Sequence, residues 1–177
     1  MITSAPATSE MTAAAKALLA APTGHDHVSI LGEVITIVLS RRQTGGTLSV
    51  MEVHSPPGGG MPFLHTHPGA KTFVGLEGTY EVYGETGGDR LTLTVCPGTT
   101  VHVPSEAPHG YANVGGVPGR LLVLVHNGGR VEAFIREAGT PVEDPGGSSP
   151  PTGPAVYKRL RRVMEAYDIR VVDDRLP

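Results

Sequence analysis

At 177 residues the chain has the size of one domain, with room for modest extensions. Its 39% hydrophobic and 18% charged residues are those of an ordinary globular chain, and a net charge of −3 with no basic stripe before the C-terminal segment argues against nucleic acid or a membrane surface as partner. A single cysteine, Cys96, excludes an internal disulfide, and no run of 18 apolar residues could form a transmembrane helix.

The N-terminus lacks a basic n-region and Lys16 interrupts its apolar run, so it reads as a helix rather than a signal peptide, with a cytoplasmic location expected. Ser9 can cap a helix running to Ala21, in which Met11, Ala15, Leu18 and Leu19 form one apolar stripe. Pro22 and Gly24 end it. His25-Asp26-His27 then reads as a loop, which could serve as a second metal site or part of a lid, with a plain solvated loop as the default. Residues 1–27 are taken as an N-terminal arm.

From Val28 the pattern turns to short strands. Glu33–Ser40, Thr47–His54, Lys71–Leu76, Thr79–Tyr83, Arg90–Val95, Thr100–Val103 and Arg120–His126 show alternation or β-branched enrichment. Glycine-rich joints separate them, as expected of a chain with 24 glycines and 16 prolines. Regular short strands point to a β-sandwich or barrel, and a barrel of eight or more strands has a lumen for one small ligand. This barrel is expected to span 28–130. The remainder, 131–177, reads as C-terminal helices around a Pro/Gly-rich linker. Val131–Ala138 is a short helix and Pro141–Pro154 the linker. Ala155–Tyr167 is an amphipathic helix whose Val156, Leu160, Val163 and Met164 oppose Lys158, Arg159, Arg161 and Arg162.

Two motifs carry the chemistry. In Gly59-x5-His65-Thr66-His67 the histidines stand at i and i+2 on a strand and so project to one face, where two imidazoles can ligate one transition metal. Downstream, Gly98-x5-Pro104-x4-His109-x3-Asn113 supplies a third histidine at the start of a new strand. Three histidines on two strands are the minimum for a facial metal site.

With Gly78 between them, these motifs resemble the two signature motifs of the cupin superfamily. The resemblance covers 47–127, and the C-terminal helix pair is similar to that of single-domain cupins related to quercetin dioxygenases. It implies an all-β fold, a double-stranded β-helix or jelly-roll barrel. His65, His67 and His109 would hold one divalent transition metal (Fe, Ni, Mn, Zn or Cu) inside it. It further implies dioxygenase chemistry on a small-molecule substrate, and a homodimer formed by strand exchange at the sheet edge.

The chain departs from the family pattern twice. Lys71 and Thr72 stand where the family has its fourth ligand, a glutamate, and Glu106 replaces a glycine of the second motif. An ammonium cannot ligate a cation, and two like charges ~4 Å apart repel by several kcal/mol even at a moderate dielectric. Three readings of Lys71 follow. The histidines hold the metal with open positions while Lys71 orients an anionic substrate or acts as general acid/base; Lys71 and the histidines form a metal-free acid/base or Schiff-base site; or the pocket binds a ligand without turnover.

Phe63 on the face of His65 and His67, Phe73 on that of Lys71, and Tyr80 on the next strand are candidate substrate-binding walls, or plain core. His54 and His126 are candidate pocket residues against the default of an outer face. Glu77 at a turn and Glu81 toward solvent are poor substitutes for the absent ligand. The expected activity is a metal-dependent transformation of a small phenolic, enolic or carboxylate anion, dioxygenase-like by resemblance. A non-oxidative isomerase, cyclase or decarboxylase using Lys71, or a ligand-binding cupin without turnover, is the alternative.

Overall fold

A computed structural model describes residues 26–127, 129–144 and 154–173. The helix expected over Ser9–Ala21, and His25 after it, lie outside the described residues. Ten strands come first: β1 Asp26–Ile30, β2 Glu33–Leu39, β3 Leu48–Ser55, β4 Gly60–Thr66, β5 Ala70–Glu77, β6 Tyr80–Thr86, β7 Asp89–Val95, β8 Thr100–Val103, β9 His109–Asn113 and β10 Gly119–His126. Helix α1 Gly129–Ala138, β11 Thr140–Val142, helix α2 Pro154–Ala166 and β12 Arg170–Asp173 follow.

The strands form two sheets, ordered β11-β1-β2-β3-β10-β5-β8 and β12-β4-β9-β6-β7. Facing each other, they make the jelly-roll barrel that the motifs imply. Strict alternation sets what faces inward. In β3, β5 and β10 every second residue is buried, which puts Met51 and Val53, Lys71 and Phe73, and Leu121, Val123 and Val125 inside. The register lines these up across the sheet, with Val123 opposite both Met51 and Phe73, and Val125 opposite both Ser49 and Lys71. Lys71 therefore continues an apolar row into the barrel; it does not lie on the outer surface.

Helix α1 closes one mouth of the barrel with Val131, Phe134 and Ile135, all buried. Burial of side chains of this size contributes about 1.5–3 kcal/mol each. Its Glu132 is the polar anchor, accepting hydrogen bonds from Ser49 Oγ at 2.8 Å and the Arg41 amide at 2.7 Å. Gly139 stops the helix where a Cβ would stand 2.1 Å from Val28 Cγ1. Helix α2 packs Leu160 and Met164 into the same core. No helix among the described residues is long and apolar enough to cross a membrane.

Three elements differ from the expectation. β1 begins at Asp26, so Asp26 and His27 belong to a strand and not to a loop; His27 Nδ1 lies 2.8 Å from Thr36 Oγ1 on the neighbouring strand. β11 arises inside the expected linker and pairs with β1, and β12 pairs with β4. Both are three- or four-residue strands at sheet edges. Pro141 is tolerated in β11 because an edge strand has one unpaired side. Such strands are too short to show a period, and tertiary pairing alone defines them.

Candidate metal centre and its cavity

The metal motif is built where β4 meets β9. Met61 pairs with Tyr111 and His65 with His109, so Pro62, Phe63 and Leu64 oppose Gly110 alone. This bulge breaks the period-2 alternation and brings His65 and His109 directly opposite each other. Gly60 permits the start of β4: its φ is +142°, and a Cβ there would lie 2.4 Å from the Tyr111 carbonyl oxygen. His67 sits just past the end of β4. The Glu106 amide donates to the His67 carbonyl at 3.1 Å, tying the first motif to the turn before His109. Asn113, the last residue of the second motif, is structural. Its amide donates to the carbonyls of Ser55, Pro56 and Val117, and pins the β3–β4 connection to the β9–β10 turn.

The three imidazoles are buried, with ring centroids 4.5, 4.9 and 5.7 Å apart. Each Nδ1 faces a backbone carbonyl: His65 to Phe63 at 3.2 Å, His67 to Pro68 at 3.1 Å and His109 to Ala107 at 2.9 Å. A carbonyl only accepts, so these bonds place the proton on Nδ1 and leave the Nε2 lone pair free. Nε2 of His67 and of His109 is buried with no hydrogen-bond partner among the described residues. Burial, followed by neighbouring cationic groups, pushes the pKa of His67 down to about 2 and that of His109 to about 3, and lowers His65 well below the usual range. All three are neutral at physiological pH. One ligand atom from each lies within 4.8 Å of the others, so His65, His67 and His109 could hold one metal ion. The second nitrogen of each ring is already oriented as metal-binding histidines require.

His65 and His67 open onto a cavity of ≈ 40 Å³. Its other polar walls are Lys71, Glu33 and Tyr111; the rest are apolar, including Met51, Phe73 and Phe134. Lys71 is 8% exposed, and burial lowers its pKa to about 8 against the opposing pull of Glu33. Glu33 is 2% exposed, and burial raises it to about 7. Ser55 Oγ donates to one of its carboxyl oxygens and Tyr111 OH donates to the other, the latter at 2.7 Å.

Of the candidate walls, Phe73 does line the cavity and packs on Tyr111 with centroids 5.4 Å apart. Phe63 is buried edge-on to His65 but does not line it, because the bulge takes Phe63 out of the His65 alternation. Tyr80 is fully buried away from the cavity, against Gly119. His54 lies on the outer face of the sheet, 2.8 Å from Glu52, which also pairs with Arg120. His126 is exposed beside His102, with centroids 6.5 Å apart. Both follow the outward parity of their strands. Glu77 is bound to Arg120, remote from the histidines.

Sequence reasoning missed Glu33 and Tyr111. The available signal was a single carboxylate heading the largely apolar run Glu33-Val-Ile-Thr-Ile-Val-Leu39, and a tyrosine two residues after His109, on the same face.

Residues 51–125 match the family model described as "Cupin domain". No curated protein matches the sequence. Among solved structures, Bacillus subtilis oxalate decarboxylase is 20% identical over 58% of this chain and 27% of its own, with a TM-score of 0.49. This chain therefore spans about a quarter of that protein. A sugar phosphate isomerase of the cupin superfamily from Silicibacter pomeroyi is 19% identical over 54% of this chain and 59% of its own, at a TM-score of 0.44. A structure of the DMSP lyases RdDddP and RnDddQII is 19% identical over 53% of this chain and 47% of its own, also at 0.44. The two histidine motifs and the strands that carry them fall within the stretch that the cupin domain model matches, residues 51–125.

Proposed function

We propose that the chain is a metal-dependent cupin enzyme that acts on a small organic anion. His65, His67 and His109 hold one divalent ion, and Lys71 binds the anion and exchanges protons with it. The observation that carries this reading is the convergence of Lys71 with His65 and His67 on one cavity. Three neutral imidazoles leave the ion's charge uncompensated, and an ammonium beside it adds to the positive field. Only an anion satisfies both.

The cavity volume narrows the substrate. A water needs roughly 10–15 Å³ on the same measure, so ≈ 40 Å³ accommodates a ligand of a few heavy atoms. A small carboxylate or enolate fits; a flavonol requires helix α1 to move. The ion would act as a Lewis acid, stabilising the substrate oxyanion. Lys71, whose pKa is about 8, has a free-amine fraction near neutral pH to take a proton from the carbon beside that oxyanion, or an ammonium to return one. Phe73 and the apolar walls exclude water from the same volume. This set of groups favours isomerisation, elimination or decarboxylation. The dioxygenase reading, carried by motif resemblance, differs in consuming oxygen.

Elemental analysis of the protein beside His65→Ala should find about one equivalent of metal, lost in the variant. Small carboxylates and enols are then screened for product and for oxygen uptake. Lys71→Ala should lower kcat by about 100-fold or more, in the range of general acid/base catalysis. Lys71→Glu should strengthen metal retention by supplying a carboxylate, yet leave turnover impaired. Full activity in Lys71→Glu would sink the assignment of proton transfer to Lys71. Stoichiometric oxygen uptake would return the reaction to the dioxygenase class.

A further inference from the structure

We propose that the Glu33 carboxyl is the second proton-bearing group of the cavity, donating a hydrogen bond to the anion that Lys71 and the metal hold. This deepens the preceding reading and rests on it.

The geometry leads there in three steps. Glu33 is a cavity wall and is buried, so water screens its charge little. Its two oxygens each already accept a hydroxyl hydrogen bond, from Ser55 on β3 and from Tyr111 on β9. Finally, an anion placed against Lys71 shares a space of ≈ 40 Å³ with this carboxyl. Two carboxylates at that range repel strongly in a buried site, as paired carboxylates sharing one proton do. Binding therefore either fails or draws a proton onto Glu33. With both hydroxyls directed at its oxygens, that proton points to the cavity, where the anion accepts it.

The groups facing Glu33 are compatible with this. Lys71 on β5 is its cationic neighbour and stabilises the ionised form; Tyr80 on β6 and Tyr111 on β9 stay neutral, their own pKa values raised by burial. His65 and His67 across the cavity are neutral imidazoles. Glu33, raised to about 7, can thus change its protonation state near neutrality. The proton comes from solvent as the anion enters, and no oxidant or other reactant is needed.

The test uses the full chain loaded with Zn²⁺ and titrated with formate at pH 7.5. Calorimetry in two buffers of different ionisation enthalpy measures protons taken up per formate bound. Wild type should take up at most roughly three-quarters of a proton more than Glu33→Gln, the ionised fraction of an acid with a pKa of about 7 at that pH. Glu33 raises the Lys71 pKa, so its loss adds Lys71 uptake in the variant and makes this difference an upper value. Equal uptake in the two proteins, with formate bound to both and no protonated-carboxyl band in the infrared difference spectrum of the wild type, overturns the Glu33 assignment and leaves the anion site standing. Absence of formate binding to Zn²⁺-loaded wild type overturns the anion site and this inference with it. Infrared difference spectra of the wild type, formate-bound minus free, read the same event should Glu33→Gln not fold. A protonated-carboxyl band should grow in, and its absence overturns the assignment.

Discussion

Glu106 has φ +63°, in the left-handed region that costs a residue with a Cβ about 1–2 kcal/mol. The resembled family has glycine in that turn, and the backbone here keeps the glycine-like conformation without the glycine. It is held because the Glu106 amide donates to the His67 carbonyl, a bond that positions a metal ligand. Glu106→Gly keeps that amide and removes the strain, at a cost of about 0.5–1 kcal/mol in added freedom of the unfolded chain. Thermal unfolding should show a net gain of about 0.5–1 kcal/mol, or about 1–4 °C in Tm. A lower Tm would mean that the exposed glutamate side chain contributes more than its backbone costs. At this scale the sequence was legible for the three histidines, because spacing and type together are specific. It was mute on Glu33. A lone glutamate at a strand start looks the same whether it meets solvent or, as here, two hydroxyls from β3 and β9. Only the fold brings residues 33, 55, 71 and 111 together.

Helix α1 is the element that covers one mouth of the barrel and walls the cavity there, and Glu132 holds it down. Its carboxylate accepts from Ser49 Oγ and the Arg41 amide, and from Arg136 Nε one turn on at 3.2 Å. Glu132→Ala strands two of those donors in a largely buried place, a loss of about 1–3 kcal/mol for each group left unsatisfied. Tm should fall by about 6–12 °C at a loss near 3 kcal/mol. Hydrogen exchange should speed up over Val131–Ile135 before it does in β3 or β10, since Phe134 and Ile135 would leave the cavity first. Uniform acceleration across the barrel would instead make Glu132 part of the global core. The main strands were legible from alternation, above all β3, β5 and β10, whose burial follows period 2 almost residue by residue. β4 was not legible to the same depth. Its three-residue bulge shifts Phe63 off the cavity wall, and a bulge is fixed by the partner strand rather than by the local sequence.

For the whole molecule, the buried histidines and Glu33 pull stability in opposite directions as pH changes, and the balance has a recognisable shape. His67 and His109 are depressed from 6.5 to about 2 and about 3, so the unfolded chain binds more protons than the folded one below pH 6.5. Each therefore removes about 1.4 kcal/mol of stability per pH unit on acidification, and His65 acts in the same sense. Glu33 is raised from 4.5 to about 7, so between those values the folded state holds the extra proton and gains a similar amount per unit as pH falls. Chelator-treated protein should accordingly lose stability from pH 6.5 to 4.5, then about one and a half times as steeply below 4.5, where Glu33 is protonated in both states. With total stabilities of about 5–15 kcal/mol for such domains, acid unfolding is expected a little below that break. Urea unfolding at half-unit pH steps measures the curve. Glu33→Gln removes the opposing contribution, so the steep slope should begin already near pH 6.5. If instead the variant and the wild type trace parallel curves down to pH 4.5, Glu33 is already ionised and solvated in the metal-free protein, and the electrostatic description of the cavity is wrong at its most buried acid.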